Sequence, residues 1–176
     1  MTHRMQQLAI AAIGATLIAT ATAAPPAGSA APAKLNSTDR YFLADALSAN
    51  QLEIDASTYA AKQASSDKVR QFAQQMVVEH GKIATEMQKA NDGLVVPPSP
   101  TPQPGPNLQG RTGAEFDKAY LDLIINYDAA ALGKFRTADG PQHGASIRDM
   151  SKIVLPMIGQ NDEMAKAMRR SLGSMK

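Results

Sequence analysis

The sequence predicts an all-α fold, an antiparallel four-helix bundle with a long proline-rich crossover between its second and third helices. Apolar residues recur at helical spacing in four separate stretches. No stretch sustains the period-two alternation of a half-buried strand. Between the second and third stretches lies a segment that no helix can cross, whereas short breaks separate the others.

The first helix is expected from about Asp39 to Gln63, with Ser37 or Thr38 as N-cap and Asp39 complementing the helix dipole. Ser65-Ser66-Asp67 is a break and a new N-cap, and the second helix follows to about Ala90. Asn91-Asp92-Gly93 then supplies its C-terminal stop. So short a connection makes these two helices antiparallel neighbours.

From Pro97 to Pro106, six of ten residues are proline. That density excludes helix and central strand and predicts an extended spacer, taken here as residues 94–113. Such a crossover suits a bundle whose second and third helices run parallel. Thr112-Gly113-Ala114-Glu115 reads as a capping box. The third helix behind it carries Phe116, Tyr120, Leu123, Tyr127 and Ala130 on one stripe and ends by Asp139-Gly140-Pro141. His143, just beyond, reads as an exposed loop residue. The fourth helix places Ile147, Met150, Val154, Ile158, Ala165 and Met168 on one face, with Pro156 predicting a kink. Met150, Met157, Met164 and Met168 invite copper(I) or oxidant-sink readings, but core packing is the commoner use of such a stripe.

The N-terminus reads as an export signal. His3 and Arg4 form a basic start, Leu8 to Ala19 an apolar run, and Ala21-Thr22-Ala23 an A-x-A cleavage pattern. Residues 1–23 are therefore expected to be a signal peptide cleaved after Ala23, residues 24–36 a disordered tether, and residues 37–172 the bundle. The expected location is the periplasm or the exterior. No cysteine is present, which excludes a disulfide framework, thiolate chemistry and a lipoprotein anchor. The chain has 18 Lys and Arg against 16 Asp and Glu and no basic cluster, so nucleic acid is excluded as a partner class.

Several polar residues fall on the apolar stripes. Val69, Phe72, Ala73, Met76, Ile83, Ala84 and Met87 all lie within about 60° of His80 around its helix. Glu53 shares a face with Phe42, Ala46, Ala49, Ala56 and Ala60, and Asn161 lies between Ile158 and Ala165. Tyr127 faces the core, and Asp128 sits at the edge of its stripe. One reading makes Glu53, His80 and Asp128 ligands of a divalent metal such as iron or zinc. The other makes Glu53, His80, Tyr127 and Asn161 a buried polar network. The network is favoured because Glu53 and His80 alone supply two ligands, and Val77 stands where a Glu-x-x-His motif would have glutamate. No Ser-His-Asp set, phosphate loop or acid–base pair is readable, so no catalytic residue and no small-molecule substrate are inferred.

The chain resembles a family of exported bacterial proteins catalogued as domain of unknown function 4142, assigned to the periplasm or outer membrane. The matching pieces are Phe42-Leu43-Ala44, Glu53-Ile54, the run from Val69 to His80, Phe116-Asp117-Lys118-Ala119-Tyr120-Leu121, and Leu155-Pro156. The resemblance implies a ferritin-like bundle and three core histidines, one each on the second, third and fourth helices. The first falls on His80, the second on Asp128 and the third on Asn161, so two of the three positions depart from the pattern.

The function expected is thus that of an exported, non-catalytic bundle without cofactor, acting in envelope stress or protein interaction with an envelope protein as partner. The alternative is a ferritin-like metal-binding, redox-capable protein with a degenerate site. Donor atoms of Glu53, His80 and Asp128 converging on a point about 2.0–2.2 Å from each favour the metal. A direct His80–Glu53 bond with Asp128 in water favours the network.

Overall fold

The computed structural model describes residues 34–91, 105 and 107–174. The expected signal peptide, the tether up to residue 33, and the crossover from residue 92 to 104 lie outside the described residues. Among the described residues there are four helices and no strand: α1 (Ser37–Gln63), α2 (Asp67–Lys89), α3 (Gly113–Thr137) and α4 (Ala145–Ser174). None is long and apolar enough to cross a membrane. The all-α four-helix expectation therefore holds.

Buried apolar side chains form two clusters, and their membership fixes the direction of every helix. One unites Ala56 and Ala60 of α1, Val69, Phe72 and Met76 of α2, Phe116, Tyr120 and Ile124 of α3, and Ala165 of α4. The other unites Leu43 and Leu47, Ile83 and Met87, Leu132 and Phe135, and Ile147, Val154 and Ile158. α1 and α4 thus point one way, α2 and α3 the other. Each helix packs on two antiparallel neighbours, in the cyclic order α1, α2, α4, α3. α2 ends at one end of the bundle and α3 begins at the other, roughly 35 Å away for helices of this length. The connection between them must travel that distance.

The helix ends differ from the sequence expectation in instructive ways. Asn36, rather than Ser37 or Thr38, caps α1, its side-chain oxygen accepting the Asp39 N–H at 2.8 Å. The Ser66 cap of α2 uses no hydroxyl of its own. Its work is done by Asp117 of α3, whose carboxylate accepts the backbone N–H groups of Ser65 and Ser66, each at 2.9 Å, and the Ser65 hydroxyl at 2.7 Å. An anion at the N-terminus of α2 satisfies orphan donors and the helix dipole together. The capping box foreseen at Thr112 does not close, for Thr112 makes no side-chain cap bond. Gly113 there adopts a φ of +60°, a left-handed entry that an L-residue would strain. The last part of the expected linker is packed: Leu108 is buried in the first cluster.

His143 is not exposed. It is buried with its Nδ1 2.9 Å from Asp39 Oδ1, and its ring lies edge-on to Phe42 at 5.0 Å. Asp39 also accepts the Gly144 N–H. This clasp ties the α3–α4 turn to the start of α1 across 104 residues of sequence, a contact that local composition does not encode. The helix α4 runs continuously through Pro156, whose missing N–H leaves the Lys152 carbonyl without its usual donor. The methionine stripe serves packing: Met150 is in the core and Met157, Met164 and Met168 lie against its flanks.

Candidate metal centre

The two apolar clusters are separated by a layer of polar side chains halfway along the bundle. On α1 it falls between Leu47 and Ala56, on α2 between Met76 and Ile83, on α3 between Ile124 and Leu132, and on α4 between Ile158 and Ala165. The buried polar residues in those gaps are Asn50, Glu53 and Asp55, His80, Asp128, and Asn161 with Asp162. Each helix contributes at least one of them because each keeps its heptad-like inward track through the layer and places a polar residue on it.

Glu53, His80 and Asp128 each bring one ligating atom to within 4.8 Å of the other two. His80 Nε2 lies 3.5 Å from Glu53 Oε2. That separation is too long for a good hydrogen bond, and Glu53 Oε2, His80 Nε2 and both oxygens of Asp128 have no hydrogen-bond partner among the described residues. Asp128, expected at the stripe's edge, is wholly buried. Tyr127 is instead half-buried beside the layer. Asn161 is buried as expected, with its Nδ2 unpartnered.

His80 is held in one tautomer by a residue that the sequence reading missed. Asn50 Nδ2 donates to the His80 backbone carbonyl at 3.0 Å, and its Oδ1 lies 2.9 Å from His80 Nδ1. A carbonyl only accepts, so the amide orientation is fixed, and Nδ1 must be the protonated nitrogen. The lone pair of Nε2 therefore points bare toward the carboxyl pair. The network around His80 thus runs through Asn50, not through Tyr127 or Asn161. The signal was present: Asn50 is one helical turn from both Ala46 and Glu53, on the Leu43–Leu47 track. The Tyr120 hydroxyl makes a separate polar link, donating to Ser57 Oγ at 2.9 Å.

Replacing Asn50 with Leu should release this restraint. Ring-nitrogen NMR of His80 should then change from a single Nδ1–H form to a tautomer average, and stability should fall by about 1–3 kcal/mol for the stranded N–H. An unchanged tautomer in the variant would refute the assignment.

Burial governs the charge of the layer. It pushes the His80 imidazole down to about 4, with nearby Glu79 acting in the opposite sense, so the ring is neutral at pH 7. Burial raises the Glu53 carboxyl well above the usual range, and Asp128 raises it further. Asp128 is pushed up to about 8, first by burial and then by Asp162, with Lys166 acting in the opposite sense. Glu53 and His80 are close enough to be counted as an ion pair, but desolvation is the first cause of both shifts and disfavours the charged form of each. Proximity, not ion pairing, describes the contact.

The family model for a domain of unknown function, DUF4142, matches residues 24–168. The chain belongs to that family. No curated protein and no solved structure matches it. All three positions onto which the family's histidines were placed, at His80, Asp128 and Asn161, lie in the buried layer.

Proposed function

We propose that this protein binds one divalent transition-metal ion in the middle of its core, through Glu53 of α1, His80 of α2 and Asp128 of α3. The observation that carries this reading is a set of three buried residues whose ligating atoms come within 4.8 Å of one another, each with an oxygen or nitrogen that has no hydrogen-bond partner among the described residues. Buried polar atoms normally find partners, and a cluster of them facing one another wants a cation or protons. Donors at about 2.1 Å from a tetrahedral ion are about 3.4 Å apart, so side-chain rotations closing roughly 1 Å would seat it. Two carboxylates and a neutral imidazole also neutralise a dication, which is the charge balance an apolar interior requires. One nitrogen and two carboxylate donors suit iron(II) or zinc. With three protein ligands, coordination positions remain for an exogenous group.

The alternative network reading asked for His80 bonded to Glu53 with Asp128 in water. Asp128, buried and without a hydrogen-bond partner among the described residues, argues against it. The Asn50–His80 link supports the metal reading, because metal-binding histidines characteristically donate their distal N–H to an oxygen that orients the ring. We retain the export reading, supported by the signal-like residues 1–23, so the ion would be acquired in the envelope.

Metal analysis of protein purified from the envelope fraction tests this directly. About one iron or zinc per chain is expected, lost in His80→Ala while circular dichroism stays helical. Equal and substoichiometric metal in both proteins would overturn the proposal.

A further inference from the structure

A cavity of about 100 Å³ opens off the polar layer between α1 and α3. Its walls include Ala46, Ile83, Met87, Ala131, Phe135 and Ile158, and Asn50, Glu53 and His80 form its polar end. Ala49, Leu52 and Ala130, also among the lining residues, are exposed and put its mouth at the surface. Small side chains on both facing helices keep this seam open, where the α1–α2 seam is closely packed. Two of the lining side chains, Glu53 and His80, are each only 2% exposed and carry a polar atom without a partner.

We infer that this cavity binds a small uncharged molecule with an apolar body and a single hydroxyl, an aliphatic alcohol in chemical class, whose O–H meets the bare Nε2 of His80. Apolar walls exclude a polar body, since each unmatched polar group would lose its hydration. Nε2 accepts and does not donate, because Nδ1 holds the ring proton against Asn50, so the ligand must bring the donor. A charged organic group is disfavoured, because the apolar walls would strip it of its hydration and Lys134, the one lysine lining the cavity, is already paired with Asp45. A cavity near 150 Å³ admits benzene, so one of this size takes about four to six heavy atoms. The inference goes beyond the metal reading and concerns the metal-free chain, because an ion bound by His80 would take the same Nε2.

The test is methyl NMR of the full chain after chelation, titrated with butan-1-ol, butyrate and butylammonium. Saturable shifts of the Ala49, Ala130 and Ala131 methyls with the alcohol alone are expected. Ala130→Leu, at an exposed position, should retain the fold and lose the response. His80→Leu should weaken binding about tenfold while leaving the shifts centred on the same alanines. Non-saturable shifts, an equal response to either ion, or unchanged binding in Ala130→Leu would each overturn the assignment. Because the titration uses chelated protein, a failed metal analysis and a failed alcohol titration are separate results.

Discussion

The thermal midpoint of the metal-free protein should fall as pH rises from about 6.5 to 8, and a saturating divalent ion should reverse that slope. Asp128 carries the first half of the expectation. Its folded-state value is pushed up to about 8 from the ordinary 3.8, so across that interval the folded chain holds a proton that the unfolded chain has lost. The stability contributed by this group is complete below pH 3.8 and disappears as pH rises through 8. Glu53, raised for the same reason, acts in the same direction. His80 opposes them over a limited range. Its value drops from 6.5 to about 4, so its contribution is complete above 6.5 and is lost as pH falls toward 4. Below pH 6.5 the histidine offsets one carboxyl, and above it the carboxyls act alone. One uncompensated proton over 1.5 pH units is worth about 2 kcal/mol, or roughly 6 °C for a domain of this size.

A bound dication changes the sign because both carboxyls must ionise to ligate it, so its affinity rises with pH. At a hundredfold excess over the dissociation constant it adds about 2.7 kcal/mol. Unfolding followed by circular dichroism at pH 6.5 and 8, with chelator or with zinc, distinguishes the cases. Calorimetry in buffers of different ionisation enthalpy should record net proton release on zinc binding at pH 7. A midpoint independent of pH and of zinc would remove both the buried-carboxyl and the metal accounts.

The helices were legible in the sequence because each keeps a continuous apolar track. The depth of Asp128 was not. Following Phe116, Tyr120, Leu123 and Tyr127 as the stripe put Asp128 at its margin, but α3 packs against both α1 and α4. Its buried arc is correspondingly wide and also runs through Asp117, Leu121, Ile124, Asp128, Leu132 and Phe135. On that track Asp128 is central. His143 was misplaced for a different reason: its partner Asp39 comes from the far end of the chain, and a histidine among glycine, proline and glutamine looks like a surface turn. Asn50 was passed over as one polar residue in an alanine-rich helix. Its role becomes visible only when α2 brings the His80 carbonyl and ring nitrogen to its two ends.

Asp128→Asn should make the metal-free protein more stable at pH 8, and should abolish cation binding in the same step. The wild-type carboxyl at that pH is divided between a protonated form and an ion deep in the core, while in the unfolded chain it ionises freely. Removing the titration removes a folding cost on the order of a few kcal/mol. The amide nearly matches the carboxyl in shape, so no cavity opens, and its N–H group offers a donor to the unpaired atoms nearby. Glu53→Gln should act in the same direction. The pH slope should flatten in each variant and vanish in the double variant, while zinc no longer raises the midpoint. A protein destabilised for its own fold at the positions that would hold an ion is what a stability–function trade-off looks like. Equilibrium unfolding in urea at pH 6.5 and 8 measures it. A variant less stable than wild type at pH 8, with the slope intact, would mean that Asp128 is ionised and already satisfied in the folded chain, and the reading of the layer as a ligand set would fall.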